Sequence, residues 1–151
     1  MKNVLCYKSP VGILKIEGEQ NVITGLYFVK NEFESIGTPS DEMEKCKMQL
    51  DEYFSGKRKE FNLNLNPKGT AFQLKVWNAL QTVPYGETQT YGYIAKAINN
   101  PKAVRAVGGA NNRNPISIII PCHRIIGTNG KLVGYGGGLE VKEYLLNLER
   151  Q

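Results

Sequence analysis

The chain has 151 residues, of which 41% are hydrophobic and 22% charged, with a net charge of +5. That is ordinary globular composition, enough for one core or for two small lobes. No apolar run is long enough to span a bilayer, and the first residues carry no apolar signal segment with a cleavage site, so a cytoplasmic protein is expected.

The charge is unevenly placed. Residues 1–66 hold nine Lys/Arg against ten Asp/Glu, and residues 67–151 hold ten against four. The basic half favours a polyanionic partner. The cysteines, Cys6, Cys46 and Cys122, are odd in number and widely spaced, which argues against a disulfide framework. A Cys/His zinc site would need all three and the single histidine, His123, with no pair at zinc spacing. No metal is expected.

In chain order, Val4-Leu5-Cys6-Tyr7 and Ile13-Leu14-Lys15-Ile16 flank a turn built on Pro10-Val11-Gly12 and read as a hairpin. Val22–Val29 reads as a third strand. The spacing of Met43, Cys46, Leu50 and Tyr53 predicts a helix from Asp41 to Phe54, stopped by Gly56. Cys46 on its apolar face and Cys6 in its strand read as core residues. Phe61-Asn62-Leu63-Asn64-Leu65 alternates and predicts an edge strand. Asn66-Pro67-Lys68-Gly69-Thr70 is the best boundary, dividing a lobe of 1–66 from one of 67–151.

The second lobe is richer in helix. Thr70 can N-cap a helix bearing Phe72, Val76, Trp77 and Leu80. Val83-Pro84-Tyr85-Gly86 breaks it, and a helix opening at Thr88–Tyr91 buries Ile94, Ala95 and Ile98. Asn99-Asn100-Pro101 is a tight turn, with Pro101 suited to the first position of the next helix. Two short helices so joined have the form of a helix-turn-helix. The second is unusual: Ala103, Ala106, Gly108, Gly109 and Ala110 give it little bulk, with one long cation, Arg105. It is shaped to press closely against something.

Asn114-Pro115-Ile116-Ser117-Ile118-Ile119-Ile120-Pro121 reads as a buried strand ended by proline, delivering Cys122-His123-Arg124 at its tip. Residues extended side by side would point apart, so a turn after Pro121 is needed for Cys122 and His123 to act together. The thiolate is the nucleophile, and a histidine can take the thiol proton directly or through water. Lys131–Gly138 is a glycine-rich loop lacking a P-loop ending, read as a pocket wall around Tyr135. A last helix from about Leu139 to Arg150 is expected to turn Val141, Tyr144, Leu145 and Leu148 inward. By itself Glu149 reads as a solvated terminal glutamate. No acidic residue lies within fifteen positions of His123, however, so Glu149 is the candidate to orient the imidazole.

Pro121-Cys122-His123-Arg124-Ile125-Ile126 resembles the active-site signature of the O6-alkylguanine-DNA alkyltransferases, the methylated-DNA–protein-cysteine methyltransferases. The likeness runs over roughly residues 70–149 and includes Val83-Pro84-Tyr85-Gly86, Tyr91-Gly92, Arg105-Ala106-Val107-Gly108, Asn114-Pro115, Gly134-Tyr135, Lys142 and Glu149. It implies an α+β fold: an N-terminal lobe with a small antiparallel sheet and a helix, and a mostly helical C-terminal lobe carrying the helix-turn-helix and the active-site cysteine.

The resemblance implies single-turnover repair without cofactor. The alkyl group of O6-alkylguanine, and of O4-alkylthymine, moves from DNA to Cys122 after nucleotide flipping. His123 would act as base through a water, polarised by Glu149, with Asn114 as hinge and Tyr91 crowding the phosphate and donating to the base. Ala103, Ala106 and Gly108 would line a minor-groove contact with double-stranded DNA, and Arg105 would fill the gap left by the flipped nucleotide. Ile125, Leu132, Tyr135 and Gly136 would form the substrate pocket. Gly136 stands where relatives often carry a side chain. The free protein is expected to be a monomer with no membrane partner. A damage binder without catalysis would lack Cys122, and a cysteine hydrolase would need a histidine distant in sequence.

Overall fold

The computed structural model describes residues 2–151; residue 1, the first of the expected N-terminal lobe, lies outside the described residues. The chain forms two compact units, the first ending at Lys68 and the second spanning Gly69–Gln151. The fold is α+β, as expected from the resemblance.

In the first unit, β1 (Lys2–Ser9), β2 (Gly12–Glu19) and β3 (Val22–Val29) form an antiparallel meander in that order. The β2–β3 turn is a two-residue loop in which Gln20 and Asn21 both have positive φ, the backbone twist that suits a tight hairpin. Asn21 Oδ1 then accepts from Glu42 N at 3.1 Å, fixing the hairpin to the first turn of α1 (Asp41–Phe54). Ser40 caps that helix, its hydroxyl accepting from Met43 N at 3.2 Å. Met43, Cys46, Leu50 and Tyr53 are buried with Leu14, Ile16, Ile23 and Leu26 from the sheet. Burial pushes the Cys46 thiol up to about 12, as a core residue would have it. Cys6, in contrast, is only half-buried.

The expected edge strand at 61–65 does not form. Only Leu65 bridges to Ile23. Gln49 of α1 takes both backbone groups of Asn62, at 2.9 and 3.1 Å, and Glu42 accepts from Asn64 N. Helix side chains thus satisfy a backbone that the alternating pattern assigned to a ladder.

The second unit opens with α2 (Ala71–Leu80). Thr70 and Gln73 form a reciprocal capping box at 3.1 and 3.0 Å. Next come β4 (Gln89–Thr90) and α3 (Tyr91–Ala97), which starts at Tyr91 because Thr90 is its N-cap. Its end is a Schellman motif: Asn99, at φ 60, donates to Lys96 O, and Asn100 donates to Ala95 O. Pro101 lies in the following turn and not in the first turn of a helix; α4 runs from Val104 to Asn112 with Ala103 before it. The helix-turn-helix is therefore α3 and α4, with α2 packed against both. Trp77 of α2, almost wholly buried, donates its indole N–H to Ala110 O at 2.9 Å and holds α4 in place.

The four isoleucines of residues 116–120 are buried, but the segment is not a strand. Ile119 N bonds to Ser117 O at 2.8 Å across Ile118, whose φ is +72. Cys122 N bonds to Ile120 O at 2.8 Å across Pro121, at φ −82 and ψ 64. These are two successive γ-turns, the first of the strained hand, rare for a β-branched residue. Asn114 brackets the first of them: its Oδ1 accepts from Ile116 N at 3.0 Å and its Nδ2 donates to Ile120 O at 2.7 Å. An apolar run reports burial, and here a side chain supplies bonds that a ladder would otherwise make. After the turns come a 3-10 turn, Cys122–Arg124, then β5 (Ile125–Ile126), paired in parallel with β4. The unit closes with α5 (Leu139–Glu149). Among the described residues no helix is long and apolar enough to cross a membrane.

Candidate active site

Pro121 hands the chain directly into the 3-10 turn that carries Cys122, His123 and Arg124, all buried. The buried face of α5 supplies their partners. It consists of Lys142, Leu145, Leu146 and Glu149, not the expected Val141, Tyr144 and Leu148; Tyr144 is exposed. Two of its four positions are charged, which is why apolar periodicity misplaced it.

Glu149 lies at the centre of a buried ion cluster. Its Oε2 accepts from His123 Nε2 at 2.6 Å, and Arg124 donates from Nε to Oε1 at 2.8 Å and from Nη2 to Oε2 at 3.2 Å. Gly86 N reaches Oε1 at 3.3 Å. Gly86 sits at φ +82, and a Cβ there would come within 3.1 Å of Glu149 O, so the approach requires glycine. Arg124 also donates to Val83 O at 2.8 Å and stacks over Tyr85, 5.8 Å from the ring centroid.

These contacts fix the protonation states. Burial alone would raise Glu149, but the His123 and Arg124 hydrogen bonds hold its carboxyl well below the ordinary range. An ionised carboxylate only accepts, so the bonded Nε2 of His123 carries the hydrogen. Burial pushes His123 down, and Arg124 and Lys142 reinforce it against the upward pull of Glu149. A neutral imidazole with hydrogen on Nε2 leaves a lone pair on Nδ1. That atom is buried and bonded to no other described side chain or backbone group. The thiol of the preceding residue, Cys122, is raised by burial, partly offset by Asn114 and by the positive charge of Lys142. The resting group is a thiol.

Lys142 is wholly buried. Its Nζ donates to Ile125 O at 2.5 Å and to Val133 O at 2.8 Å, and burial lowers it to about 8. Tyr91 donates its hydroxyl to the same Val133 O at 3.3 Å. Burial and the neighbouring Cys122 raise both Tyr91 and Tyr135. The structure thus gathers Cys122, His123, Glu149, Asn114, Tyr91, Tyr135 and the Ile125 carbonyl in one region. Leu132 is half-buried in the loop, and Gly136 is exposed with open space where a side chain would project. Arg105 and Ala106 are exposed on α4, away from the cluster, and Ala103 and Gly108 are half-buried. Arg124, Lys142 and Asn111 belong to the region and were missed by sequence reasoning. Arg124 adjoins His123, and Lys142 lies seven residues, two turns, before Glu149; those spacings were the available signal. Among the described residues no group of three His, Cys, Asp or Glu could hold a metal ion.

The second unit thus combines a helix-turn-helix with a buried cysteine directly preceding the histidine of a buried histidine–carboxylate pair. The 6-O-methylguanine DNA methyltransferase family matches over most of both units: its ribonuclease-like domain over residues 5–67 and its DNA binding domain over 71–151. The methylated-DNA–protein-cysteine methyltransferase of Methanosarcina acetivorans is 51% identical over 149 residues, covering 95% of each chain. The constitutive enzyme of Bacillus subtilis is 47% identical, covering 95% of this chain and 92% of its own. The crystal structure of Mycobacterium tuberculosis O6-methylguanine methyltransferase superposes with a TM-score of 0.91 at 45% identity, covering 99% of this chain and 93% of that one. The protein of that organism solved in complex with DNA gives 0.87 at 47% identity, covering 96% and 91%. The chain belongs to the 6-O-methylguanine DNA methyltransferase family and is a DNA-binding methyltransferase.

The ion cluster predicts a stability effect. Glu149→Gln leaves Arg124 buried without its counter-charge and should cost about 3–5 kcal/mol in urea unfolding at pH 7. Glu149 and His123 both bind fewer protons folded than unfolded, because both are held below their ordinary values of 4.5 and 6.5. Wild-type stability should therefore fall as pH drops below 6.5 and fall further below 4.5. The variant should show a shallower loss over the lower range.

Proposed function

We propose that the protein repairs O6-alkylguanine in double-stranded DNA by moving the alkyl group to Cys122, once per chain. The observation that carries this reading is the state of the His123–Glu149 pair. Burial keeps the imidazole neutral against the upward pull of the ionised Glu149, which fixes the hydrogen on Nε2 and leaves the Nδ1 lone pair bare. In the reaction His123 takes the Cys122 proton, through a bound water. The thiolate sulfur bonds the alkyl carbon as the carbon–O6 bond breaks, and the electron pair leaves on the guanine. Tyr91 supplies a proton to the departing base. The nearby Lys142 charge favours the thiolate when it forms. No cofactor enters this sequence of steps, and the thioether ends it.

Cys122 is 5% exposed, so the substrate must come to it. A base stacked in duplex cannot, hence nucleotide flipping is part of the proposal. The exposed start of α4, Val104-Arg105-Ala106, suits a minor groove in bulk, with Ala103 and Gly108 behind it. Arg105 would occupy the space the flipped nucleotide leaves. Tyr135, Leu132, Gly136 and the Ile125 backbone would surround the base, with Tyr91 meeting the phosphate. The same route would serve O4-alkylthymine, and the free protein would act as a monomer.

Incubation with excess duplex containing O6-methylguanine should add one methyl per chain, at Cys122, and then stop, as read by mass spectrometry of the intact chain and its peptides. Continued turnover, or methyl on another residue, would overturn the proposal. Arg105→Ala should slow transfer from duplex DNA by well over the factor seen with free O6-benzylguanine base. Equal losses on the two substrates would remove the role given to Arg105.

A further inference from the structure

Lys142 is wholly buried on α5, where an apolar residue would fill the volume without the cost of burying an ammonium. Its Nζ reaches two carbonyls from separate segments. One is Ile125 O at 2.5 Å, in β5 directly after the turn that carries Cys122. The other is Val133 O at 2.8 Å, in the glycine-rich loop, whose residues 131–135 belong to no helix or strand. A single charged group therefore ties that loop to the strand next to the nucleophile.

Val133 O has a second donor. The Tyr91 hydroxyl reaches it at 3.3 Å from the first residue of α3. The two donors are unequal. The Lys142 bond is shorter and charge-assisted, and such bonds are roughly twice as strong as neutral ones. The Tyr91 bond is long and lies in an exposed place. The next loop residue, Gly134, has φ +55, and a Cβ there would come within 2.9 Å of Asn112 Oδ1, so the loop also lies against the end of α4. Asn111 beside it donates to the Cys122 carbonyl at 3.4 Å. Within two residues the loop thus meets α5 and both helices of the helix-turn-helix.

A carbonyl oxygen has two lone pairs, so both donors can sit on it, and either can leave without orphaning it. The proposed reaction asks Tyr91 for its hydrogen. The hydroxyl must turn from Val133 O to the departing base, one acceptor exchanged for another.

We propose that Lys142 is a positioning residue for the transfer reaction: it holds the 131–138 loop over the substrate pocket through Val133 O, and so leaves the Tyr91 hydroxyl free to exchange that acceptor for the departing base. The inference rests on the alkyl transfer proposed above. Titratable groups of other elements act on this ammonium or share its acceptor: Cys122 and His123 from the 3-10 turn, and Tyr91 from α3. Above its lowered value of about 8 the group becomes a neutral amine, which still has two N–H to give to two carbonyls. The hold on the loop therefore outlasts the charge.

The test uses Lys142→Met in the full chain, which keeps the length and removes the donors, beside Tyr91→Phe. Loop rigidity is read without substrate from nitrogen-15 relaxation of the Val133 and Gly134 amides. Expected are order parameters of about 0.85 in wild type and Tyr91→Phe, and below about 0.6 in Lys142→Met. At saturating methylated duplex, transfer by Lys142→Met should slow about tenfold with affinity for the duplex unchanged, the worth of one hydrogen bond. That loss should persist from pH 7 to pH 9, where the wild type has given up the charge and kept the donors. A loss that disappears at pH 9 would assign Lys142 to the thiolate charge alone and overturn the inference. A rigid loop in Lys142→Met would do the same, as would equal loosening by Tyr91→Phe. Should Lys142→Met not fold, the Nζ hydrogens of Lys142 decide in wild type and Tyr91→Phe. Slow exchange in both, with a rigid loop, supports the hold; rapid exchange with solvent overturns it. A wild-type chain that transfers nothing would instead sink the alkyl-transfer reading, while the relaxation would still report on the loop.

Discussion

The second unit is arranged around a negative charge kept in a dry place. Glu149 is buried at the end of α5, where the helix dipole is unfavourable to a carboxylate and water cannot solvate it. It stays ionised because His123, both sides of the Arg124 guanidinium and the Gly86 amide converge on its two oxygens. Each donor is held by something else: Arg124 by Val83 O and the Tyr85 ring, Gly86 by a left-handed backbone, His123 by the 3-10 turn. The carboxylate in turn decides which histidine nitrogen carries hydrogen. Removing any donor would leave the others around an under-compensated charge, so the cluster behaves as one object.

The thiol is placed by a second constraint, the strained backbone that leads to it. Two γ-turns in succession compress the chain between Asn114 and Cys122, with Ile118 in a conformation its branched side chain disfavours. Such a path persists because it is over-determined. Asn114 bonds the backbone on both sides of the first turn, and Ile116, Ile118 and Ile120 are locked in the core. Asn114 directly follows α4 and its C-cap Arg113, so helix, turns and nucleophile form a short rigid path. A thiol so held cannot move out toward a substrate, which is why the proposed reaction brings the base to it.

Where local rules govern, the sequence was legible. The three strands, α1 and α2 followed from alternation, helical spacing and the cap at Thr70, because neighbours a few residues away create those features. The misreadings share one cause. At 61–65, where Phe61, Leu63 and Leu65 are half-buried, and at 116–120, where the isoleucines are buried, the pattern assumed a ladder, and backbone bonds were made instead by Gln49, Glu42 and Asn114. Strand and buried turn look alike when a side chain stands in for the partner strand. On α5 the apolar stripe was misdrawn because Lys142 and Glu149 are buried, and their partners lie at Ile125, Val133, His123 and Arg124. No window along the helix contains those residues. Glu149 was singled out by family resemblance and by the lack of any nearer acid, not by its own surroundings. Arg124, Lys142 and Asn111 gave only weak signals of spacing, and their significance comes from three-dimensional contacts.

Because His123 is the only histidine, its two ring nitrogens can be observed without ambiguity in nitrogen-15 NMR of the uniformly labelled protein. The measurement is the tautomer and charge of that ring as pH is lowered from 8. The account predicts a neutral imidazole at pH 7, with hydrogen on Nε2 and a bare Nδ1, and protonation only below the ordinary value of 6.5. An imidazolium at pH 7, or a neutral ring with hydrogen on Nδ1, would contradict it, since neither could accept the proton of Cys122.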